Sequence, residues 1–150
     1  MAYDSELLYV GSLLHDIGLV PEFDSHAVGF DDASGHVAYV FATGAGWDEE
    51  RRTRLVDIVL SHMWDVVDVD VHPEGFLLER STSMDISGRY MDDFPADFKD
   101  AVLARLPRAG LAEEFLACFR DQAGRKPASS PARALRNGIA ERILSNELDG

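Results

Sequence analysis

The segment LLHDIGLV, Leu13 to Val20, sets a histidine beside an aspartate at the end of an apolar run. Imidazole nitrogen and carboxylate oxygen are both ligands for a divalent cation, and both move protons in general acid–base catalysis. Left unpaired on an apolar helical face, either group costs a few kcal/mol, so its presence there calls for a partner. Adjacent residues diverge by about 100° around a helix, so a cation lying between the two directions could take a nitrogen from His15 and an oxygen from Asp16. His62, in LVDIVLSHMW, and Asp85, in PEGFLLERSTSMDISG, also fall on apolar faces, and Asp85 could close such a site from another helix. Plainer roles stand beside this one. His36 and His62 taken singly suit a helix cap or a hydrogen-bonded core position, and His26 and His72 suit exposed loops. Asp31, Asp32 and Asp48 suit helix caps, and Asp65, Asp68 and Asp70 suit a solvated loop.

The elements that must position these groups are helical. Apolar spacing of the helical kind runs through most of the chain and long alternating segments are absent, which predicts an all-α fold. The first helix is expected from Asp4 or Ser5, either able to cap it, to about His15, with Gly18 as its stop and Pro21 beyond. A second fits DDASGHVAYVFATG, capped by Asp31 or Asp32, with Val37, Val40 and Phe41 on one face, His36 near its start and Gly44 at its end. The third opens on Asp48, and Leu55, Ile58, Val59 and His62 follow at helical spacing, which points His62 at the core. DVVDVDVHP alternates but ends in Pro73, so an extended connection, able to lie over a site, is expected there. A fourth helix covers about Glu74 to Ile86, with Leu78, Thr82 and Asp85 on one buried face and Gly88 as its stop. PADFKDAVLARL and GLAEEFLACFRDQAG supply two more, the second ended by Gly124. RKPASSP reads as a polar linker, and a last helix starts with Ser130 as cap and Pro131 at its first position.

The 150 residues suit one domain, and an apolar fraction of 46% with 27% charged residues is the balance of a globular protein. The net charge of −13 is uneven: residues 1–100 carry 21 acids against 6 bases, residues 101–150 carry 6 against 8. Such a surface repels phosphate backbones and anionic lipid, so neither nucleic acid nor membrane is an expected partner. Cys118 is the only cysteine, which excludes an internal disulfide and a cysteine-based zinc knuckle and fits a reducing compartment. With no basic leader and no apolar run of membrane-spanning length, a cytoplasmic location is expected. A homo-oligomer is compatible with all of this.

In order along the chain, LLHDIGLV, FDDASGHVAYVFATGAGW, LVDIVLSHMW and PEGFLLERSTSMDISG resemble the HD-domain superfamily of metal-dependent hydrolases, and within it the cyanamide hydratase-like branch. In that branch a phenylalanine and an acid open the helix after the HD pair, a Gly-Trp precedes the next, and a Pro-Glu opens the helix with the last aspartate. Phe30 with Asp31, Gly46 with Trp47, and Pro73 with Glu74 stand in those places. The resemblance covers roughly residues 5–90 and implies an HD-type helical bundle around a divalent metal, zinc foremost, with iron or manganese as alternatives. By the same resemblance His15, Asp16 and Asp85 match metal ligands, and His62 matches a histidine often found in the metal pocket. His36 sits where members with two metals can offer another ligand. His62 and His36 would thus act as ligand, general acid/base or hydrogen-bond partner of the substrate.

One departure stands out. The family's first histidine lies on a helix upstream of the HD pair, and no histidine precedes His15 here. Asp4 and Glu6 lie roughly 14–17 Å back along the helix, too far for a coordination bond of about 2 Å. Three explanations follow: an N-terminally truncated chain, replacement by His36 or His62, or a degenerate site. The implied reaction is water, activated by the metal, attacking an electrophilic centre of a small molecule, with a cyanamide- or nitrile-like substrate favoured. Phosphohydrolysis of a nucleotide or phosphoester is the alternative, although no Gly-rich phosphate loop is present and the nearby bases are only Arg80 and Arg89. A third possibility is an oxygen-activating two-metal enzyme using His36 and His62. From another class comes a metal-free, non-catalytic helical module.

Overall fold

Asp4 begins the first helix by accepting from the amides of Glu6 and Leu7, both at 3.0 Å, two of the donors that a helix start leaves without a partner. In this computed structural model, which describes Met1 to Asp149, helix α1 runs Ser5–Leu14, α2 Phe30–Gly44, α3 Glu49–Ser61 and α4 Pro73–Ser87. The remaining helices are α5 Ala96–Arg105, α6 Leu111–Arg125, α7 Ser130–Arg136 and α8 Ile139–Leu144. The fold is all-α, with no strand among the described residues. No helix among them is long and apolar enough to cross a membrane.

The core lies where α1, α2, α3 and α4 meet. Leu7, Ala38, Ala42, Leu55, Ile58, Val59 and Leu78 form one buried cluster, flanked by Leu8, Val10, Leu14 and Trp47. Each fully buried Leu or Ile there contributes roughly 1.5–3 kcal/mol. Asp48 caps α3 through the amide of Arg51 at 2.8 Å, and Arg51 reaches back to Asp4 and Glu6, both at 2.6 Å, tying the starts of α1 and α3 together. Glu74, at the start of α4, is buried. It accepts from the backbone amide of Asp4 at 2.5 Å and from Arg54 at 2.6 Å, and so fastens α4 to the same corner.

Several expectations need correction. Helix α2 starts one residue early and is not capped by Asp31 or Asp32: Gly29 holds the cap position and both acids sit in the first turn. Its buried face is Phe30, Ala33, Ser34, Ala38 and Ala42, whereas Val40 is 70% and Phe41 49% exposed. The small residues let α2 lie close against α3, which the larger side chains would prevent. Gly124 does not end α6, which continues to Arg125. Ser129, not Ser130, caps α7, and the expected single last helix is two, because Gly138 adopts a left-handed φ of 77° between α7 and α8.

The segment expected as a polar linker is packed instead. Lys126, Ser129 and Ser130 are buried, and the Lys126 ammonium lies 2.9 Å from Asp24, which also accepts from Gln122 and Arg125. A buried ammonium without that carboxylate would be costly, so the pair fixes the start of α7 against the loop before α2.

Candidate functional site

His15 lies at the C-terminal end of α1, where the chain leaves the helix; Asp16 follows and a single 3₁₀ turn, Ile17–Leu19, carries it away. That turn sits tightly on α2. Gly18 is buried, its amide donates to Ser34 Oγ at 2.9 Å, and a Cβ there would press into the Phe30 carbonyl. The glycine of the HDIG sequence therefore has a packing reason: only a residue without a side chain lets the HD pair reach its place.

His62 ends α3 and faces inward, with its side chain 5% exposed. His15 and His62 meet edge to face, with ring centroids 5.1 Å apart. Their Nε2 atoms lie 3.3 and 3.4 Å from the two oxygens of Asp16. Their other ring nitrogens are spoken for: His15 Nδ1 donates to Ser12 O at 2.8 Å and His62 Nδ1 to Val59 O. A carbonyl oxygen can only accept, so Nδ1 carries the proton in both rings and a neutral ring presents a lone pair at Nε2. Two lone pairs thus face a carboxylate, which is also an acceptor. His62 Nε2 and Asp16 Oδ1 are buried with no hydrogen-bond partner.

Such an arrangement needs a proton or a cation. Burial opposes the charged form of His15, but the adjacent Asp16 carboxylate outweighs it and holds the imidazole pKa above its ordinary value. For Asp16 burial pushes the pKa up, but the His15 and His62 imidazoles beside its two oxygens pull harder and hold the carboxyl well below the usual carboxylate range.

These three residues form the floor of a cavity of about 70 Å³. Thr82, Ser83 and Ser87 of α4 line one wall, and Met63, Ile86, Phe115 and Phe119 supply the apolar remainder. The two phenylalanines, 4.4 Å apart between ring centroids, come from α6, outside the segment whose motifs pointed to a site. Their i, i+4 spacing on one helix face was the only signal for them. Phe119 also packs at a tilt against Phe30, 5.6 Å between centroids, and Phe30 meets His62 edge to face at 5.7 Å.

Asp85 and His36 are not brought into this cluster. Contrary to the expected buried face, the Asp85 side chain is 48% exposed and paired with Arg108, which also donates to the Asp85 backbone carbonyl at 2.8 Å and to Asp149. Burial still raises the Asp85 pKa above its ordinary value, with Arg108 working in the opposite direction. His36 is exposed on the outer face of α2, in an apolar surface groove with Leu14, Phe23, Val37 and Val40. Neither the 65–72 connection nor Arg80 or Arg89 lines the cavity. Arg80 stacks on Tyr90 and pairs with Asp93, and Arg89 packs on Tyr90. A larger depression, about 560 Å³, lies near Gly29 and Ser130, but its Arg125 and Lys126 are both engaged by Asp24.

The fit to a divalent metal is one of donor type rather than donor number. Two imidazole Nε2 atoms oriented by backbone carbonyls, with a carboxylate between them, are the groups such an ion takes. Yet among the described residues no three His, Cys, Asp or Glu side chains form a group placed to hold an ion. Fold and site together define a helical bundle with a His–Asp–His cluster under a small, half-apolar cavity. No family model matches the chain, and no curated protein matches it.

Proposed function

We propose that this chain is an HD-type metal-dependent hydrolase or hydratase acting on a small molecule in the cavity above His15, Asp16 and His62. The observation that supports it is the placing of the His15 and His62 Nε2 atoms 3.3 and 3.4 Å from the two oxygens of Asp16, with His62 Nε2 and Asp16 Oδ1 buried and unpartnered. His15, Asp16 and His62 would hold the ion, zinc foremost, with iron or manganese as alternatives. The bound ion supplies Lewis acidity, which lowers the pKa of water toward about 7. The residues do the rest. The Ser12 and Val59 carbonyls keep both imidazoles in one tautomer, Asp16 holds them in register, and Phe115 and Phe119 keep bulk water from one side of the cavity. Volume favours a compact substrate: about 70 Å³ is far below the roughly 300–1,000 Å³ of pockets that take drug-sized ligands. The absence of any lysine or arginine from the lining likewise favours hydration or hydrolysis of a nitrile-like molecule over phosphohydrolysis.

Metal content of the purified chain, with Asp16→Asn beside it, tests the proposal. Stoichiometric metal that the variant loses, followed by turnover of small nitriles or amides, is the expected result; a folded protein that takes up no zinc, iron or manganese refutes it. The pairing of Asp85 with Arg108 favours a second reading, a non-catalytic helical module, in which His15, Asp16 and His62 serve only to pack the ends of α1 and α3 together.

A further inference from the structure

Two apolar surfaces of this chain lie open to solvent, and their shapes are opposite. One is concave: Leu14, Ile17, Phe23, Val37, Val40 and Phe41 line a groove of about 510 Å³ between the end of α1, the turn after it and the outer face of α2, with His36 as its one polar side chain. The other is convex. Helix α5 is the one α-helix among the described residues that buries no residue. Phe98, Val102 and Leu106, four positions apart, fall within about 80° around its axis and make a ridge about 12 Å long. All three are exposed, Leu106 at 72%. A ten-residue helix with no capping side chain is marginal in water, so α5 gains from anything that covers this ridge.

We propose that the chain self-associates through unlike surfaces, the α5 ridge of one copy seating in the α1–α2 groove of a second. Charge separates this from a groove-to-groove dimer. Residues 1–44, which build the groove, hold seven acids and no lysine or arginine, so two grooves face to face set acid against acid. Helix α5 balances its two acids with Lys99 and Arg105 and brings no such repulsion. Area sets the strength. An aromatic side chain buries about 150–250 Å² in full, so the half-exposed Phe23, Phe41 and Phe98 offer roughly 100 Å² each, and Val40, Val102 and Leu106 about 300 Å² together. At the roughly 65% apolar share of homodimer interfaces, this corresponds to about 900 Å² of contact, the low end for specific association. Assembly is therefore reversible, with a dissociation constant of about 10–100 μM.

Sedimentation of the full chain from about 1 μM to 1 mM tests it, with Val40→Glu in the groove and Phe98→Glu on α5. Val40 is 70% and Phe98 51% exposed, so the fold should tolerate both; a melting curve checks each, and Leu106→Glu repeats the α5 arm. The parent's average mass is expected to climb above the monomer as concentration rises. Each variant alone should weaken association by about thirtyfold or more. Mixed together they should associate again: the Val40→Glu chain keeps its ridge, the Phe98→Glu chain keeps its groove, and one sound interface forms between them. That recovery also shows both variants to be folded. A parent that stays monomeric throughout overturns the proposal, and so does association that survives both substitutions. Loss with Val40→Glu alone would mean a groove-to-groove dimer, and two silent variants that stay silent when mixed would mean that the two surfaces do not meet; either result refutes it.

Discussion

Replacing Gly18 with alanine should damage this protein more than any other single-carbon addition near the site. The added Cβ would press into the Phe30 carbonyl oxygen and lie 3.0 Å from both Phe30 C and Ser34 Oγ, and Phe30 is buried at the start of α2. Backbone cannot swing aside as a flexible side chain can, so the 3₁₀ turn must lift off α2. Overpacking of this kind costs about 1–3 kcal/mol, and a lifted turn also strains the buried bond from Gly18 N to Ser34 Oγ, worth about 1 kcal/mol more. A loss near 3 kcal/mol corresponds to a melting temperature lower by about 6–12 °C in a chain of this size. Asp16, two residues away, would move with the turn and lose its 3.4 Å approach to His62, visible as a shift of the His62 ring proton resonances. Gly124→Ala is the internal control: it lies within α6 with open space where its Cβ would go, and should stabilise by about 0.5–1 kcal/mol. Urea unfolding of both variants decides the matter. If Gly18→Ala unfolds within about 0.5 kcal/mol of the parent, the close packing of the HD turn on α2 is not what fixes the site.

Asp24→Ala should cost about 3 kcal/mol, because it leaves the Lys126 ammonium buried without a carboxylate; chemical denaturation measures it, and an unchanged midpoint would contradict the buried-linker arrangement. Arg108→Gln should raise metal affinity if Asp85 belongs to the site and leave it unchanged if the chain is a non-catalytic module, as calorimetric zinc titration would show. The metal-free protein should have a stability plateau set by His15 and Asp16. The raised His15 pKa contributes stability that is complete below about 6.5 and is lost as pH rises through the folded value. The lowered Asp16 pKa contributes stability that is complete above about 3.9 and is lost as pH falls through its folded value. Melting curves across pH 3–9 in the presence of a chelator test both limbs, and a midpoint that rises from pH 6 to 8 would sink the His15 assignment. With zinc added the alkaline limb should reverse, since uptake requires the Nε2 proton to leave.

What the sequence discloses depends on whether the determining contact is local. Asp4 and Asp48 cap their helices as their positions suggest, because a cap bonds amides two or three residues away and its whole geometry is contained in the segment. His62 is legible for the same reason: its burial follows from helical spacing after Leu55, on the face of α3 that also buries Ile58 and Val59. The buried face of α2 was misjudged because hydrophobicity gives Val40 and Phe41 more weight than Ala38 and Ala42, whereas close helix packing rewards small side chains.

Asp85 shows where local reasoning stops. It shares a helical face with Leu78 and Thr82, and Leu78 is buried as expected, but seven residues later α4 has run beyond the core it shares with α1 and α3. What Asp85 meets there is decided by Arg108, which arrives after α5, 23 residues further along, and whose side chain is nearly all buried between Asp85 and Asp149. No periodicity links these positions. His15, Asp16 and His62 are thus held by one short segment and a helix end, and are legible; Asp85 hangs on whether a guanidinium and a carboxylate prefer each other to what the cavity offers. Arg108 is nearly all buried between Asp85 and Asp149, so a divalent ion that drew Asp85 into the cavity would leave that guanidinium with Asp149 as its only carboxylate. A zinc titration in which the parent and Arg108→Gln bind equally would place Asp85 outside the site for a reason other than its partner.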